Sequence, residues 1–361
     1  KKTGDSWHIS PSVGGVGIIN KPSNSGQQIV LYNRATDSSE ILLNSEFYGQ
    51  SPIITKRVKD KLYVANTVTR NGSVISFPVK VYDLKTKTLD TTFFGTTSCN
   101  SLEIYKNLLI QVNNSSKPLV IYNMNTRRIV TGTPTFNDGI KSVVIRDSIA
   151  YFGGDFTEVN GKRTYGIVKV NLITLEVVPF KTAFPNYCVV NHLNLVNDYL
   201  LISGTNVEPG TGLYSNFTIL DLEVGGLYPN RPQIKNNRVL SAHLIKNILF
   251  ISQENSGQWY NNLETRMFNF TTGMEDTHLN TIGLKAERLH LGKDGLWAYG
   301  RLPNVTTFSQ NYLARINGEL FDAGIKVDDF TPEVMAQSKD VRMAISGFGF
   351  STETRFWLQN K

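Results

Sequence analysis

Apolar and polar residues alternate in short runs along all 361 residues, with Val, Ile, Leu, Tyr and Phe spread evenly and Gly, Asn, Ser and Thr between the runs. Short period-two runs bounded by turn formers predict β-strands rather than helices. A two-residue polar turn precedes an apolar strand at Lys59-Asp60, Lys106-Asn107, Arg146-Asp147, Asn197-Asp198, Lys246-Asn247, Lys293-Asp294 and Lys339-Asp340, with Gly14-Gly15 in the equivalent place. Asn, Asp and Gly tolerate the positive φ that tight hairpin turns demand. A later strand in each unit closes on Asn33, Asp83, Asn123, Asn171, Asp221, Asn269, Asn317 and, more loosely, Gln359. These closing residues recur every 40 to 50 positions, as from Asp83 to Asn123 and from Asn33 to Asp83. An outer strand ending near Phe47, Phe93, Phe136, Phe180 and Phe321 is a third marker in step with the other two.

A fixed period of this length is the signature of one four-stranded unit per repeat. Each unit reads as strands a, b, c and d in a meander whose apolar faces only neighbouring units can cover. The expected fold is all-β, a single β-propeller over residues 1–361 built from four-stranded antiparallel blades. Eight repeats fall near residues 6–47, 51–94, 100–136, 139–180, 188–230, 237–278, 284–324 and 334–361. Seven blades with one unpaired unit is the alternative. The last unit stops after its third strand, so residues near Lys2 to Ser6 are expected to supply the missing edge, unless the chain continues.

In a meander the a-to-b and c-to-d turns share one end of the blade, and the b-to-c and d-to-a connections share the other. The first kind are short throughout. Connections of the second kind are long and unlike one another: Asn66 to Phe77, Gly154 to Tyr165, Gly204 to Asn216, Gln253 to Asn262 and Arg301 to Asn311. Irregular loops on a rigid scaffold are where binding residues concentrate. The ligand-binding candidates there are Tyr214, Trp259, Tyr260, Phe308 and Tyr312, with Arg70, Arg163 and Arg301 (and Arg231) beside them. Aromatic platforms in a polar surround suit sugars or protein partners, and folding back to cap the blade edges is the competing role.

Composition narrows the chemistry. A net charge of +7 and a pI near 9.2 are read as a solvated basic surface, because Lys and Arg form no dense run, so no nucleic acid partner is expected. No apolar run approaches the roughly 18 to 20 residues of a membrane span, so a soluble chain is expected. The absence of an initiator Met and of a signal-like segment suggests a processed form or an excised part. Cys99 and Cys188 sit two blades apart and are expected to be free packed thiols. His243 and His290 occupy equivalent inner-strand positions, too far apart across sheets spaced about 10 Å for one metal ion, so packing is expected and no metal or cofactor is assigned. Glu275-Asp276 and Asp328-Asp329 read as solvated acids of a turn and of a d-to-a connection, and no nucleophile elbow or phosphate loop occurs. Of the sequons at Asn71, Asn113, Asn114, Asn216, Asn269 and Asn304, several are expected by accident in so Asn-rich a chain, and together they point only weakly to a eukaryotic secretory origin.

The segment Tyr151-Phe152-Gly153-Gly154-Asp155-Phe156-Thr157-Glu158-Val159-Asn160-Gly161, continuing through Tyr165 to Asn171, resembles the delta-60 type β-propeller repeat, and Leu89-Asp90-Thr91-Thr92-Phe93 resembles its outer-strand signature. Physically, paired glycines permit a bulge and Asn160-Gly161 is a strong turn former. The resemblance implies a bacterial surface or secreted protein, or a phage tail or fibre component, and brings no catalytic residues with it. The expectation is a non-enzymatic recognition or assembly module, extracellular, on a cell surface or a virion, binding a cell-surface glycan or protein receptor through its loop-rich end. A carbohydrate-active enzyme with a channel-mouth site and a purely structural ring, joined to other subunits of a larger assembly, are the alternatives.

Overall fold

The computed structural model describes residues 9–10, 16–23, 26–33, 38–45, 53–70, 73–90, 99–114, 116–180, 184, 188–205, 207, 215–234, 237–245, 247–255, 263–276, 286–292, 295–302, 310–316, 327–332 and 343–347. They contain β-strands and no helix. Five four-stranded, two three-stranded and one two-stranded antiparallel sheet follow one another along the described residues, and a second two-stranded sheet is inserted within the fourth. In the second sheet, for example, Ile53–Val58, Lys61–Arg70, Ser73–Asp83 and Thr88–Leu89 pair in chain order. The third to fifth sheets begin at Ser101–Tyr105, Ile140–Arg146 and Val189–Val196 and repeat that order. The chain divides into two compact units, residues 1–228 and 229–361.

Within the first unit the initial strands of successive sheets lie side by side, from Ile9–Ser10 through Ile53–Val58, Ser101–Tyr105 and Ile140–Arg146 to Val189–Val196. Their stagger is constant. The Val143 N–H donates to Ser101 Oγ, and one sheet further the Leu193 N–H donates to Ser142 Oγ, the same contact moved along one repeat. Alternate residues of each central strand face opposite neighbours, so apolar side chains fill the gap on both sides. Tyr63, Ala65, Leu109 and Tyr122 fill the gap between the second and third sheets, and Ile110, Val112, Phe152 and Val170 the next. In the second unit Asn237–Ile245 and Ala286–Gly292 are neighbours in the same way.

The two sequence markers stay in phase because they are hydrogen-bonded to each other. In five units of the described residues the N–H after the closing Asx donates to the second residue of the a-to-b turn: Leu84 to Asp60, Met124 to Asn107, Leu172 to Ser148, Leu222 to Asp198 and Phe270 to Asn247. The Asx side chain holds its own turn. Asp83 Oδ1 accepts from the Lys85 and Thr86 N–H groups, and Asn123, Asn171 and Asp221 accept from the corresponding pairs. Four residues after the Asx, the backbone is left-handed at Lys87 (φ 57), Arg127 (φ 56), Leu175 (φ 62), Gly225 (φ 75) and Gly273 (φ 71). A non-glycine residue there costs about 1–2 kcal/mol relative to its relaxed state. Lys87→Gly is therefore expected to raise stability by about 0.5–1 kcal/mol, read by denaturant unfolding against wild type.

Thr86 N–H, the Lys61 ammonium and Lys85 N–H together hold the Asp83 carboxyl down at about 2, against an ordinary value of 3.8. A depressed carboxyl stabilises the fold above its unfolded pKa, and that contribution fades as pH falls from about 4 towards 2. Asp83→Asn keeps the turn acceptor but removes the titration. The wild-type advantage over this variant should thus be flat above pH 4 and shrink below it, and an advantage unchanged at pH 2 would refute the assignment.

Several boundaries differ from the pattern-based expectation. The turn of the fourth sheet is Asp147-Ser148, one residue later than Arg146-Asp147, since Arg146 pairs with Ile149 and Asp147 carries the positive φ. Asn66 to Phe77 is no loop: Asn66 pairs with Phe77 and Arg70 with Ser73, while Asn71-Gly72 lies outside the described residues. Arg301 pairs with Asn311, which shortens that connection to residues 303–309. Val327–Pro332 pairs with Met343–Gly347, so the eighth sheet begins ahead of residue 334 and Asp328-Asp329 lie on a strand, at a bulge, rather than in a connection. Gly14-Gly15, Lys339-Asp340, the Lys2 to Ser6 segment, Phe47, Phe93 and Phe321 lie outside the described residues.

Candidate functional site

The end of the sheets opposite the Asx turns carries the longer b-to-c connections. The fourth sheet shows how one is built. Its b strand Ile149–Gly154 leads into a small hairpin, Glu158–Val159 paired with Lys162–Arg163 around Asn160-Gly161, before the c strand Ile167–Asn171. Phe156 is fully buried beneath it, edge-on to Phe136 at 4.9 Å. Asn137 Oδ1 accepts from the Thr157 and Glu158 N–H groups, and Asn160 Oδ1 accepts from the Thr135 N–H, tying the hairpin to the preceding d-to-a segment.

The two glycines are steric requirements. A Cβ on Gly153 would stand 2.4 Å from Val190 Cγ1, and one on Gly154 would stand 2.2 Å from the Gly139 carbonyl. The bulge expected beside them falls on the partner strand, between Ile140 and Ser142. It turns Lys141 out of the ladder, and Lys141 Nζ donates to Asp155 Oδ1 (2.6 Å) and Asn191 Oδ1 (3.1 Å). Asn191 occupies the equivalent bulge of the fifth sheet, between Val190 and His192. This half-exposed cluster was not singled out by sequence reasoning. The only signal for it is a polar residue six positions before the turns at Asp147 and Asn197, where the sixth sheet has Leu240.

Of the candidate binding residues, Arg163 is exposed on the hairpin, directly across from Glu158. Arg70 lies at the end of the extended b strand opposite Ser73, and Arg301 and Tyr312 lie on paired strands, Tyr312 opposite Gly300. Tyr214, Trp259, Tyr260 and Phe308 fall outside the described residues. Arg231 is described and is partly buried.

Among the described residues, the other groups singled out by their chemistry are buried or paired. Cys99 and Cys188 are buried free thiols, and burial pushes both up to about 12, so neither is a thiolate at neutral pH. His243 is buried opposite Phe250. Glu275 is not a solvated turn acid: the Arg266 guanidinium grips it with Nε at 2.7 Å and lies over the Phe268 ring. Asn269 Oδ1 accepts from the Thr272 N–H in its turn, and Asn113 is buried, so the Asn113 sequon presents no open amide. Among the described residues no three His, Cys, Asp or Glu side chains gather to hold a metal ion, and no helix is long and apolar enough to cross a membrane.

No protein family and no curated relative matches the chain. Solved structures do. A chain of the mitotic checkpoint complex superposes with a TM-score of 0.53 at 11% identity, covering 83% of this chain and 91% of its own. The computationally designed protein Ika8 gives a TM-score of 0.51 at 11% identity, covering 80% of this chain and 91% of its own. At such identities the likeness concerns the fold, which is propeller-like.

Proposed function

We propose that this chain is an eight-bladed propeller of the delta-60 repeat type, serving as a non-enzymatic recognition module of a virion tail or bacterial surface. Its loop-bearing end would hold a cell-surface glycan or a protein receptor. The observation that carries this reading is the inequality of the two ends. At one end, turns of fixed length are locked by Asx side chains. At the other, connections differ from sheet to sheet, and the one in the fourth sheet is built into a rigid hairpin that displays Arg163. A rigid scaffold with variable loops is how binding residues are commonly displayed. Trp259 and Tyr260, in the polar stretch Asn255 to Asn262, supply the stacking surface in this reading.

The test is binding of the full chain to a glycan array and to candidate host cells, with Trp259→Ala and Arg163→Ala alongside. Binding that both variants weaken supports the reading. Binding that neither changes removes this end from the role, and glycan turnover at catalytic rates replaces the module with an enzyme.

A further inference from the structure

The basic charge of the chain is concentrated in one sector. Residues 51–130 hold twelve Lys and Arg against four Asp and Glu, a net +8 that exceeds the +7 of the whole, whereas residues 131–230 hold six against nine. The fold converts this difference in sequence into a polarised surface. Lys56 in the second sheet bridges Glu103 at the same level of the third (2.5 Å), and Arg146 bridges Asp198 from the fourth to the fifth, so the Asx-turn ends of these sheets stand in one row.

Some equivalent positions in that row change sign halfway along, although the second turn position (Asp60, Asn107, Ser148, Asp198) does not and Lys85 is paired with Asp60 (3.1 Å). The first residue of the a-to-b turn is Lys59, then Lys106, then Asp147, then Asn197. Five residues past the Asx, Arg128 of the third sheet gives way to Glu176 of the fourth, and Glu223 of the fifth stands where the second sheet has Lys85. All but Asn197 of these are charged and all are exposed. Lys59, Lys87, Lys106 and Arg127 hold left-handed backbone with φ of 52 to 57, which glycine or Asn would occupy at lower cost. Among the acidic turns, Ile173 and Val224 are 67% and 70% exposed.

We propose that this turn end is the contact surface between two copies of the chain, related by a two-fold axis along the boundary between the third and fourth sheets. Rotation about that axis lays the basic turns of each copy on the acidic turns of the other, the self-complementarity an isologous dimer requires. It also covers Ile173 and Val224, and leaves both loop-bearing ends facing outward. An extended polyanion is the competing occupant of the basic sector. It would run from Lys106 and Arg127 onto Asp147 and Glu176, and it gives the exposed Ile173 and Val224 no role.

Sedimentation of the full chain decides the matter. A dimer is expected at about 0.1 M salt, and its dissociation constant should rise steeply towards about 1 M, where the screening length falls from about 10 to about 3 Å. Lys59→Glu with Arg127→Glu should give a monomer, and so should Glu176→Lys with Glu223→Lys. Mixing the two variants should restore a heterodimer, because both contacts then pair opposite charges. All four sites are exposed, and a thermal melt of each variant checks that it is folded. The proposal is overturned by a wild-type chain that stays monomeric at low salt, by a mixture that fails to pair, or by a monomer that binds heparin through Lys59 and Arg127. Should either variant misfold, the wild-type salt series still decides.

Discussion

Phe156→Ala is expected to lower the stability of the first unit by about 3–5 kcal/mol, the range for emptying a fully buried phenylalanine site. The Phe156 ring is completely buried, stands edge-on to Phe136 (4.9 Å, 77°), and belongs with Phe152, Val159, Val168 and Val170 to the apolar filling between the third and fourth sheets. The cavity cannot close by local collapse. The Thr157 and Glu158 N–H groups are pinned by Asn137, the Asn160 N–H by the Thr135 carbonyl, and the Gly166 N–H by the carbonyl of residue 156 itself. Chemical denaturation should show the loss. Hydrogen exchange should localise it, with faster exchange at the amides of Thr164 and Gly166, while the turn amides of Lys85 and Thr86 in the second sheet stay protected. A loss below about 1 kcal/mol would mean that the hairpin is carried by its hydrogen bonds alone. Phe156→Leu should recover most of the difference, since it keeps apolar volume and gives up mainly the edge-to-face contact.

That site also measures how much a reader of the sequence can extract. The strand rhythm, the two-residue turns and the closing Asx were visible because each has a local cause: alternation for burial, positive φ for the turn, and a side-chain acceptor for two orphan N–H groups. Their mutual hydrogen bond, as from Met124 to Asn107, was not visible, although it explains why they keep step. The single-residue shift at Asp147-Ser148 arose because Arg146 and Asp147 look like the other polar pairs, while only pairing with Ile149 fixes the register. Asn71-Gly72 between Val-Thr-Arg and Ser-Val-Ile is a strong hairpin signal, yet the polar run around it reads as a loop. The bulge at Lys141 and the row of like charges on the Asx turns depend on which residues the repeat brings to one level. The excess of basic residues over 51–130 is present in the sequence itself, but the gathering of Lys59, Lys85, Lys106 and Arg128 at one end of the sheets follows only from where the turns fall in each repeat.

Gln111→Leu is expected to stabilise the protein by about 1–3 kcal/mol, the desolvation cost of a buried polar group left without a partner. Gln111 is completely buried on the b strand of the third sheet, and both its amide nitrogen and its amide oxygen lack a hydrogen-bond partner. The repeat supplies its own comparison. Four residues past the second turn position, the other sheets place Val64, Phe152, Ile202 and Ile251, each completely buried. Strand alternation puts Gln111 on the same side as Leu109, which packs among Tyr63, Ala65, Cys99 and Leu102, so Leu at 111 meets apolar neighbours of compatible size. Gln111→Glu is the informative counterpart. It should destabilise at neutral pH, because a carboxylate there has neither water nor a cation, and should regain stability as the medium is acidified and the carboxyl takes up its proton. Denaturant titrations of the three proteins at pH 7 and pH 5 separate the outcomes. A Leu variant less stable than wild type would show that the amide holds an ordered water, in which case the third sheet keeps a polar interior where its neighbours are dry.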